Sequence, residues 1–364
     1  MRVTAVEATP LRSLRAVRVE LGAGIVSLVG PNGAGKTNLL EALYFALTGR
    51  SFRTSDRRDL IPFGTQFARS EAVVRDEDGI EHRLLASVSR SEGRRHLLDG
   101  SPADPATIAR HRPPVAVFSP DRLTLVKGPP GERRAHIDGY GAARWPSRAG
   151  LRQRYGQALA QRNALLTRIA AGGGGELETW DTTFADAAAA LSESRGEALA
   201  ELATPFAAAA AALGLEGDAT IEYAPRAPGS ATAIREGLLE RRESDLRLGR
   251  SSWGPHLDEV KISLDGKALR RFGSQGQQRT ALLALLFAER ETLAAARRVT
   301  PLLLLDDVMS ELDPGRREHL AGRLLDGGQA LITAADEESV PPRVLGAAIR
   351  MPLADDAADA AEAA

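Results

Sequence analysis

The sequence predicts an α/β fold in which a helical domain is inserted into a discontinuous core domain. Short apolar strand patterns and glycine-containing turns fill the first third of the chain, and a strand–helix–strand pattern returns after residue 255. Between these regions, from Arg133 to about Arg250, the pattern is mostly helical and rich in Ala, Leu, Glu and Arg. We therefore expect an α/β core from 1–125 and 255–350, a helical arm at 126–254, and a disordered, acidic, alanine-rich tail at 351–364.

Composition narrows the class of protein. The 364 residues suffice for about two domains. The 47 basic and 48 acidic side chains leave a net charge of −1, so an anionic polymer would have to bind to a local patch. The absence of Cys excludes disulfides and thiolate zinc sites. The sequence shows neither an apolar run long enough to cross a bilayer nor a signal peptide, so we expect a soluble, cytoplasmic protein.

The elements follow in order from hydrophobic patterning and turn residues. Ile25–Val29 reads as a buried strand, and Asn38–Thr48 as a helix that Gly49 terminates. The Gly172–Gly175 run predicts the turn of a helical hairpin, and Ser274 to about Arg298 a long amphipathic helix. Further strands are predicted at 70–76, 82–90, 95–99, 115–118, 220–223, 260–264 and 302–305.

A phosphate-binding loop stands between the first buried strand and the first helix. The run Gly30-Pro31-Asn32-Gly33-Ala34-Gly35-Lys36-Thr37 fits G-x-x-x-x-G-K-[ST] in full, and Asn38 follows it. Glycines let backbone N–H groups surround phosphates at a helix N-terminus. Lys36 would contact the β- and γ-phosphates of ATP, and the Thr37 hydroxyl would bind Mg²⁺.

Paired carboxylates complete the predicted nucleotide site. Asp306 and Asp307 directly follow the apolar strand Leu302–Leu305, at the strand end where α/β sheets hold ligands. We expect Asp306 to bind Mg²⁺ and Asp307 to orient the attacking water, which makes Lys36 and Asp307 the candidate catalytic residues. An ordinary aspartate-rich turn is the alternative interpretation.

A second helix start carries the run Ser274-Gln275-Gly276-Gln277-Gln278. Ser274 and Gln277 have the spacing of a capping box. Because Gly276 weakens a first helical turn, we also interpret the run as a second anion site. We favour its action in trans, on the γ-phosphate of a nucleotide held by another subunit.

Together these motifs resemble the ATPase heads of ABC and SMC proteins, and most closely the RecF family of bacterial DNA-repair ATPases. Ser310-Glu311-Leu312-Asp313 resembles the D-loop of such heads, with Ser310 and Asp313 as its candidate site residues. One departure is Leu257-Asp258-Glu259, where the family usually has Arg-Asp-Asp. Other similar stretches are Gly49–Thr54, Val126–Pro129, Arg133, Arg134, Asp138, Gly254–His256 and Gly273–Thr280.

The resemblance implies a P-loop ATPase head that dimerises with ATP and Mg²⁺ on double-stranded DNA near single-stranded gaps. It also implies partners such as a RecR-like mediator, recombinase loading, and a role in DNA replication, recombination, repair and the SOS response. The shorter Asp307, where ABC enzymes usually carry Glu, leads us to expect slow hydrolysis.

Residues 110–154 contain ten basic and three acidic side chains, the clearest basic concentration of the chain. Aromatic residues make up only 4% of the sequence, so backbone phosphate contact is expected rather than base stacking. A solvated face with local ion pairs is the alternative, and Arg133 and Arg134 could instead serve the nucleotide site or the arm. The candidate DNA contacts are Arg112, Arg122, Lys127, Arg133 and Arg134.

An ATPase subunit of an ABC-type membrane transporter is the rival function. It predicts a shorter span than the 270 residues between Lys36 and Asp306, and no helical insertion.

Overall fold

The computed structural model describes residues 1–54, 56–91 and 93–351, and the chain divides into two units. The first unit contains Met1–Arg122 and the chain from Leu293 onwards, and the second contains Leu123–Thr292. The predicted tail lies outside the described residues from position 352.

The inserted unit therefore ends at Thr292 and not at the predicted residue 254. The reason is a strand pairing that the pattern could not reveal, because Glu259–Leu264 pairs along its length with Ala219–Ala224 of the insertion. In the sequence, a strand pattern at 260–264 that follows a helical stretch predicts that the chain returns to the core domain.

The first unit contains two β-sheets with α1 (Lys36–Thr48) between them. The strands are β1 (Arg2–Ala8), β2 (Val17–Glu20), β3 (Ile25–Val29), β4 (Phe67–Arg75), β5 (Glu81–Ser89), β6 (Gly93–Leu98), β7 (Ser101–Pro102), β8 (Val115–Phe118), β12 (Leu302–Leu305), β13 (Ala330–Ala334) and β14 (Ala347–Arg350). A six-stranded antiparallel sheet has the order β2-β1-β4-β5-β6-β7, and a five-stranded parallel sheet has the order β14-β3-β13-β12-β8. Helix α1 packs on β4 and β5 of one sheet and approaches β13 of the other, and one apolar core includes residues of both sheets. Helices α2 (Pro105–Arg110) and α11 (Pro314–Leu325) complete the unit.

The second unit is built around a helical hairpin and a small sheet. The elements of this unit are α3 (Thr124–Lys127), α4 (Pro130–Arg144), α5 (Leu151–Ala170), α6 (Leu177–Ala212), β9 (Ala219–Ala224), α7 (Ala231–Glu240), α8 (Arg242–Leu248), β10 (Glu259–Leu264), β11 (Lys267–Ala268) and α9 (Leu269–Phe272). Helices α5 and α6 pack side by side, and α6 also packs on β9 of a three-stranded antiparallel sheet ordered β11-β10-β9. Helix α10 (Gln275–Arg297) begins in this unit, and its last residues belong to the first.

Two buried arginines hold the elements of the second unit together. Arg162 of α5 is fully buried, and its guanidinium lies 2.7 Å from a carboxylate oxygen of Asp181 and 2.7 Å from one of Asp245. Arg195 of α6 contacts Asp138 at 2.7 Å and Asp258 at 3.0 Å. Because every one of these four carboxylates is nearly or fully shielded from water, the pairs fix how the helices meet.

Candidate nucleotide site

The phosphate-binding loop has the predicted strand before it and helix after it. Helix α1 begins at Lys36, two residues earlier than predicted, and ends at Gly49 in the left-handed conformation expected of a helix stop. Gly35 precedes the helix with φ of 90°, and Gly33 has φ of 85°. A side chain at Gly30 would meet the carbonyl oxygen of Met351. The glycines of the pattern are thus required by backbone conformation and by close packing.

Lys36 is folded over its own loop. Its Nζ donates to the carbonyl of Gly30 at 2.5 Å and to that of Pro31 at 3.0 Å, and the residue is 9% exposed. These carbonyls are neutral acceptors, so the ammonium charge is only partly compensated. The loop therefore presents a cation and a helix N-terminus together, which suits a polyphosphate.

Asp306 is linked to the loop by hydrogen bonds. Its Oδ1 accepts from the Thr37 hydroxyl at 2.7 Å and from the Thr333 hydroxyl at 2.9 Å. Asp306 directly follows β12, Thr333 lies near the end of β13, and Thr37 lies in α1, which the loop connects to the end of β3. These three strands are parallel, so their C-terminal ends lie at one edge of the sheet. Burial raises the pKa of Asp306, while the hydrogen bonds from Thr37 and Thr333 oppose that shift.

Asp307 leaves the strand in a left-handed conformation, with φ of 48°. Its backbone N–H donates to the Thr333 hydroxyl at 2.7 Å, and its carbonyl accepts from the Ser310 hydroxyl at 3.0 Å. Asp306 and Asp307 both line the same pocket.

This pocket has a volume of about 180 Å³ and brings together the loop and the paired carboxylates. Sequence reasoning missed two of its residues, Arg53 and Thr333. Arg53 donates to Asn38 at 3.1 Å and to the buried Glu41 at 3.4 Å. It belongs to the Gly49–Thr54 stretch that the resemblance singled out without a role. No signal identified Thr333, since β13 was not predicted. The lining residues are Asn32, Gly33, Gly35, Lys36, Thr37, Asn38, Arg53, Asp306, Asp307 and Thr333.

The second predicted anion site lies in the other unit. The Gln277 side chain accepts from the Ser274 N–H at 2.8 Å, and the Gln277 N–H donates to the Ser274 hydroxyl at 3.2 Å. This reciprocal pair is a capping box at the start of α10. Gln278 is buried, and its amide donates to the carbonyls of Leu269 and Gly273. Ser274 and Gln275 are exposed, and Gly276 is partly exposed, so a ligand can reach this helix start.

Asp313 of the D-loop-like run is the N-cap of α11. It accepts from the Arg316 N–H at 3.0 Å, and this hydrogen bond lowers the pKa of its carboxyl. The segment between Asp307 and α11 is therefore held at both ends, by Ser310 and by Asp313.

The structure corrects part of the predicted DNA surface. Arg133 is 4% exposed and is engaged by Glu259 at 2.8 Å and by the carbonyls of Val126 and Gly128, so a polyanion cannot reach it. Arg134 donates to the Asp258 carbonyl at 2.7 Å. Arg133 therefore serves the interior of the arm, the alternative to DNA contact, whereas Arg134 is only partly buried and its contact with DNA stays a prediction.

The other candidates for DNA contact differ in exposure. Lys127 is exposed, while Arg112 and Arg122 are partly buried and donate to the carbonyls of Pro113 and Val117. Their contact with DNA stays a prediction.

Comparison with known proteins places the chain in a family. Residues 2–342 match the family model described as the RecF/RecN/SMC N terminal domain. The DNA replication and repair protein RecF of Myxococcus xanthus is 36% identical, over 98% of this chain and 94% of that protein. The chain belongs to the RecF family. The resemblance stated from the motifs is thus confirmed.

Solved structures confirm the fold class. A structure described as the recombination mediator protein RecF-ATP in the RecFOR pathway superimposes with a TM-score of 0.87 at 28% identity, covering 96% of this chain and 95% of that chain. An Smc head domain bound to part of ScpA matches with a TM-score of 0.57 at 18% identity, covering 98% and 95%. The predicted ABC/SMC-type P-loop head is therefore correct, with its strands divided between a parallel and an antiparallel sheet.

Proposed function

We propose that this chain is an ATP-dependent, DNA-binding clamp of recombinational repair in the bacterial cytoplasm. The observation that carries the proposal is the link of Lys36, Thr37 and Asp306 in one pocket, where a cation, a hydroxyl and a carboxylate meet at a helix N-terminus. A RecF relative is named for DNA replication and repair, and a RecF solved structure is described with ATP.

In this proposal the loop N–H groups and Lys36 bind the phosphates of ATP, and Arg53 adds a second cation at the pocket wall. Thr37 and Asp306 offer the hard oxygen ligands that Mg²⁺ prefers, and the bound metal would neutralise phosphate charge. Among the described residues, no group of three or more His, Cys, Asp or Glu side chains could hold a metal ion.

Asp307 would accept a hydrogen bond from the attacking water. We propose that hydrolysis is slow and acts as a release timer. We further propose that Ser274–Gln278 of a second subunit closes over the γ-phosphate, so that ATP holds a homodimer on double-stranded DNA near single-stranded gaps. A RecR-like mediator would be the protein partner, with recombinase loading as the outcome.

The transporter alternative is not favoured. The relatives are named for DNA replication and repair. Separately from that comparison, no helix within the described part of the chain combines the length and apolar character that a bilayer crossing needs.

Substitution of Lys36 tests nucleotide binding. Lys36→Met is expected to abolish measurable ATP binding in calorimetry, because it removes the cation from the pocket. The same change at the exposed Lys267 of β11 is the control and should leave ATP affinity unchanged. Unchanged affinity in Lys36→Met would remove Lys36 from the site.

Substitution of Asp307 tests the release timer. Asp307→Asn should hydrolyse ATP more slowly and keep an ATP-dependent dimer longer in sedimentation, with or without duplex DNA. Asp78→Asn, at an exposed hairpin tip, is the control. A dimer lifetime equal to that of wild type would refute the role of Asp307, and a wild-type chain that stays monomeric with a non-hydrolysable ATP analogue and duplex DNA would refute the clamp.

A further inference from the structure

Arginines converge in the first unit where α1 ends. Arg50 follows Gly49, the residue that terminates the helix. Arg94 of β6 packs against the same glycine, with its Nη1 3.3 Å from the position that a Cβ of Gly49 would take. On the same strand face, His96 is bonded to the carbonyl of Ala46 in the last turn of α1 at 2.9 Å. This fixes β6 against the helix end.

Two further arginines, Arg57 and Arg112, lie close enough to act on these charges. The pKa of Arg94 is lowered by burial and then by the charges of Arg57 and Arg50. The pKa of Arg112 is lowered by burial and by the charge of Arg50, among others. We call Arg50, Arg57, Arg94 and Arg112 the arginine cluster.

The arginine cluster has no anionic partner among the described residues, since none of its four members forms an ion pair there. Arg112 donates through Nη1 to the Pro113 carbonyl at 3.0 Å, while its Nε is buried without a hydrogen-bond partner. Elsewhere in the same unit, arginines of the antiparallel sheet are paired with acids, as Arg75 is with Glu81 at 2.6 Å and Arg83 with Glu71 at 3.0 Å.

The end of α1 explains only part of this arrangement. A helix C-terminus carries the equivalent of about half a negative charge. The N–H of Gly49 already donates to the Phe45 carbonyl at 2.7 Å. Arg94 is repelled by Arg50 and Arg57, and Arg112 is repelled by Arg50. Arg57 and Arg112 are half-buried, whereas Arg50 and Arg94 are exposed. These like charges exceed what the helix end can offset, and an external anion, which can reach Arg50 and Arg94 from solvent, would relieve the repulsion.

We propose that the arginine cluster is a phosphate-binding surface that contacts the sugar–phosphate backbone of duplex DNA. This rests on the DNA-binding function proposed above and names the surface that carries it. Guanidinium groups bind phosphate oxygens in a bidentate manner and remain charged at neutral pH, which suits contact without sequence readout. The surface was not predicted: of its members, only Arg112 belonged to the candidate DNA contacts.

The test is a salt titration of duplex binding by fluorescence anisotropy. We expect the double variant Arg50→Gln/Arg94→Gln to lose about 10-fold or more in affinity at ~0.15 M salt, and its plot of log K against log salt to be shallower by about two. ATP affinity and melting temperature should stay at the wild-type values. Arg95→Gln, one residue along β6 on the opposite face, removes one charge and is the matched control, expected within about twofold of wild type.

A double variant with wild-type affinity and slope would overturn the proposal. A wild-type protein that binds no duplex would instead refute the proposed DNA function. The arginine cluster is then tested by itself with inorganic pyrophosphate. This test uses the Lys36→Met variant, in which the phosphate-binding loop is disabled. Thermal stabilisation by pyrophosphate that disappears on adding Arg50→Gln/Arg94→Gln supports a phosphate site. Stabilisation that is absent, or that persists, refutes it.

Discussion

The buried arginines of the second unit and the arginine cluster of the first show two uses of the same side chain. Arg162 and Arg195 each contact two carboxylates at 2.7–3.0 Å, so their charges are compensated within the fold. Arg94 and Arg112 have no carboxylate partner among the described residues and repel other arginines. Compensation within the chain indicates a structural role, whereas arginines without an internal acid are what the proposed phosphate-binding surface requires.

Lys36 belongs with the second kind. It contacts two carbonyls and is paired with no carboxylate among the described residues, although Asp306 and Asp307 line the same pocket. Arg133 belongs with the first kind, because Glu259 and two carbonyls surround it. Counting basic residues along the sequence cannot separate the two kinds, because the partner of Arg133 is 126 positions away.

The largest expected effect comes from replacing an arginine with Met, either where it is paired with buried acids or in the arginine cluster. Arg162→Met leaves Asp181 and Asp245 as buried carboxylates without their shared cation, and should destabilise the second unit by about 3 to 5 kcal/mol. Arg112→Met removes a partly desolvated cation that has no carboxylate partner, so the stability of the first unit should stay the same or rise.

The two variants can be measured separately by unfolding in urea. All three tryptophans, Trp145, Trp180 and Trp253, lie in the second unit, so their fluorescence reports Arg162→Met there. Calorimetry of the whole chain reports Arg112→Met. Equal destabilisation by both variants would show that Arg112 has an internal counter-charge. The distinction between arginines paired within the fold and those of the arginine cluster would then no longer hold.

The local elements and the nucleotide loop were predictable from the sequence, because their signals are short in range. The loop at 30–37, the strand Leu302–Leu305 and the turn at 172–175 depend on glycines, apolar runs and adjacent carboxylates. Partners distant in sequence were not predictable. Thr333 meets Asp306 only because β13 inserts between β3 and β12, and β10 joins the helical unit only through its register with β9.

The capping box at α10 allows a structural effect to be separated from a functional one. Ser274→Ala removes an acceptor for the Gln277 N–H and should cost about 1 kcal/mol of stability. Ser230→Ala removes the equivalent N-cap of α7, which accepts from the Ala233 N–H, and should cost a similar amount. ATP-dependent dimerisation in sedimentation should weaken for Ser274→Ala and not for Ser230→Ala. Equal dimerisation of the two variants would mean that Ser274 serves its helix alone.

The smallest expected effect is on the pH dependence of stability in the second unit, and it involves the half-buried ring of His256. Burial lowers the pKa of His256, as does the charge of Arg134, while the bond to the Ser251 carbonyl and the charges of Asp258 and Asp245 oppose that shift. Its Nδ1 lies 2.6 Å from the Tyr155 hydroxyl.

Because the folded pKa lies below the ordinary value, this contribution to stability is present above about pH 6.5 and is lost as the pH falls through the folded pKa. His256→Gln should therefore flatten the decline in urea stability between about pH 7 and pH 5, followed by tryptophan fluorescence. His319→Gln, at an exposed position on α11, should leave the decline as in wild type. A decline that is as steep in His256→Gln as in wild type would show that protonation of His256 does not weaken this unit in acid. The interior of the second unit would then tolerate a charged His256, as it tolerates the charges of Arg162 and Arg195.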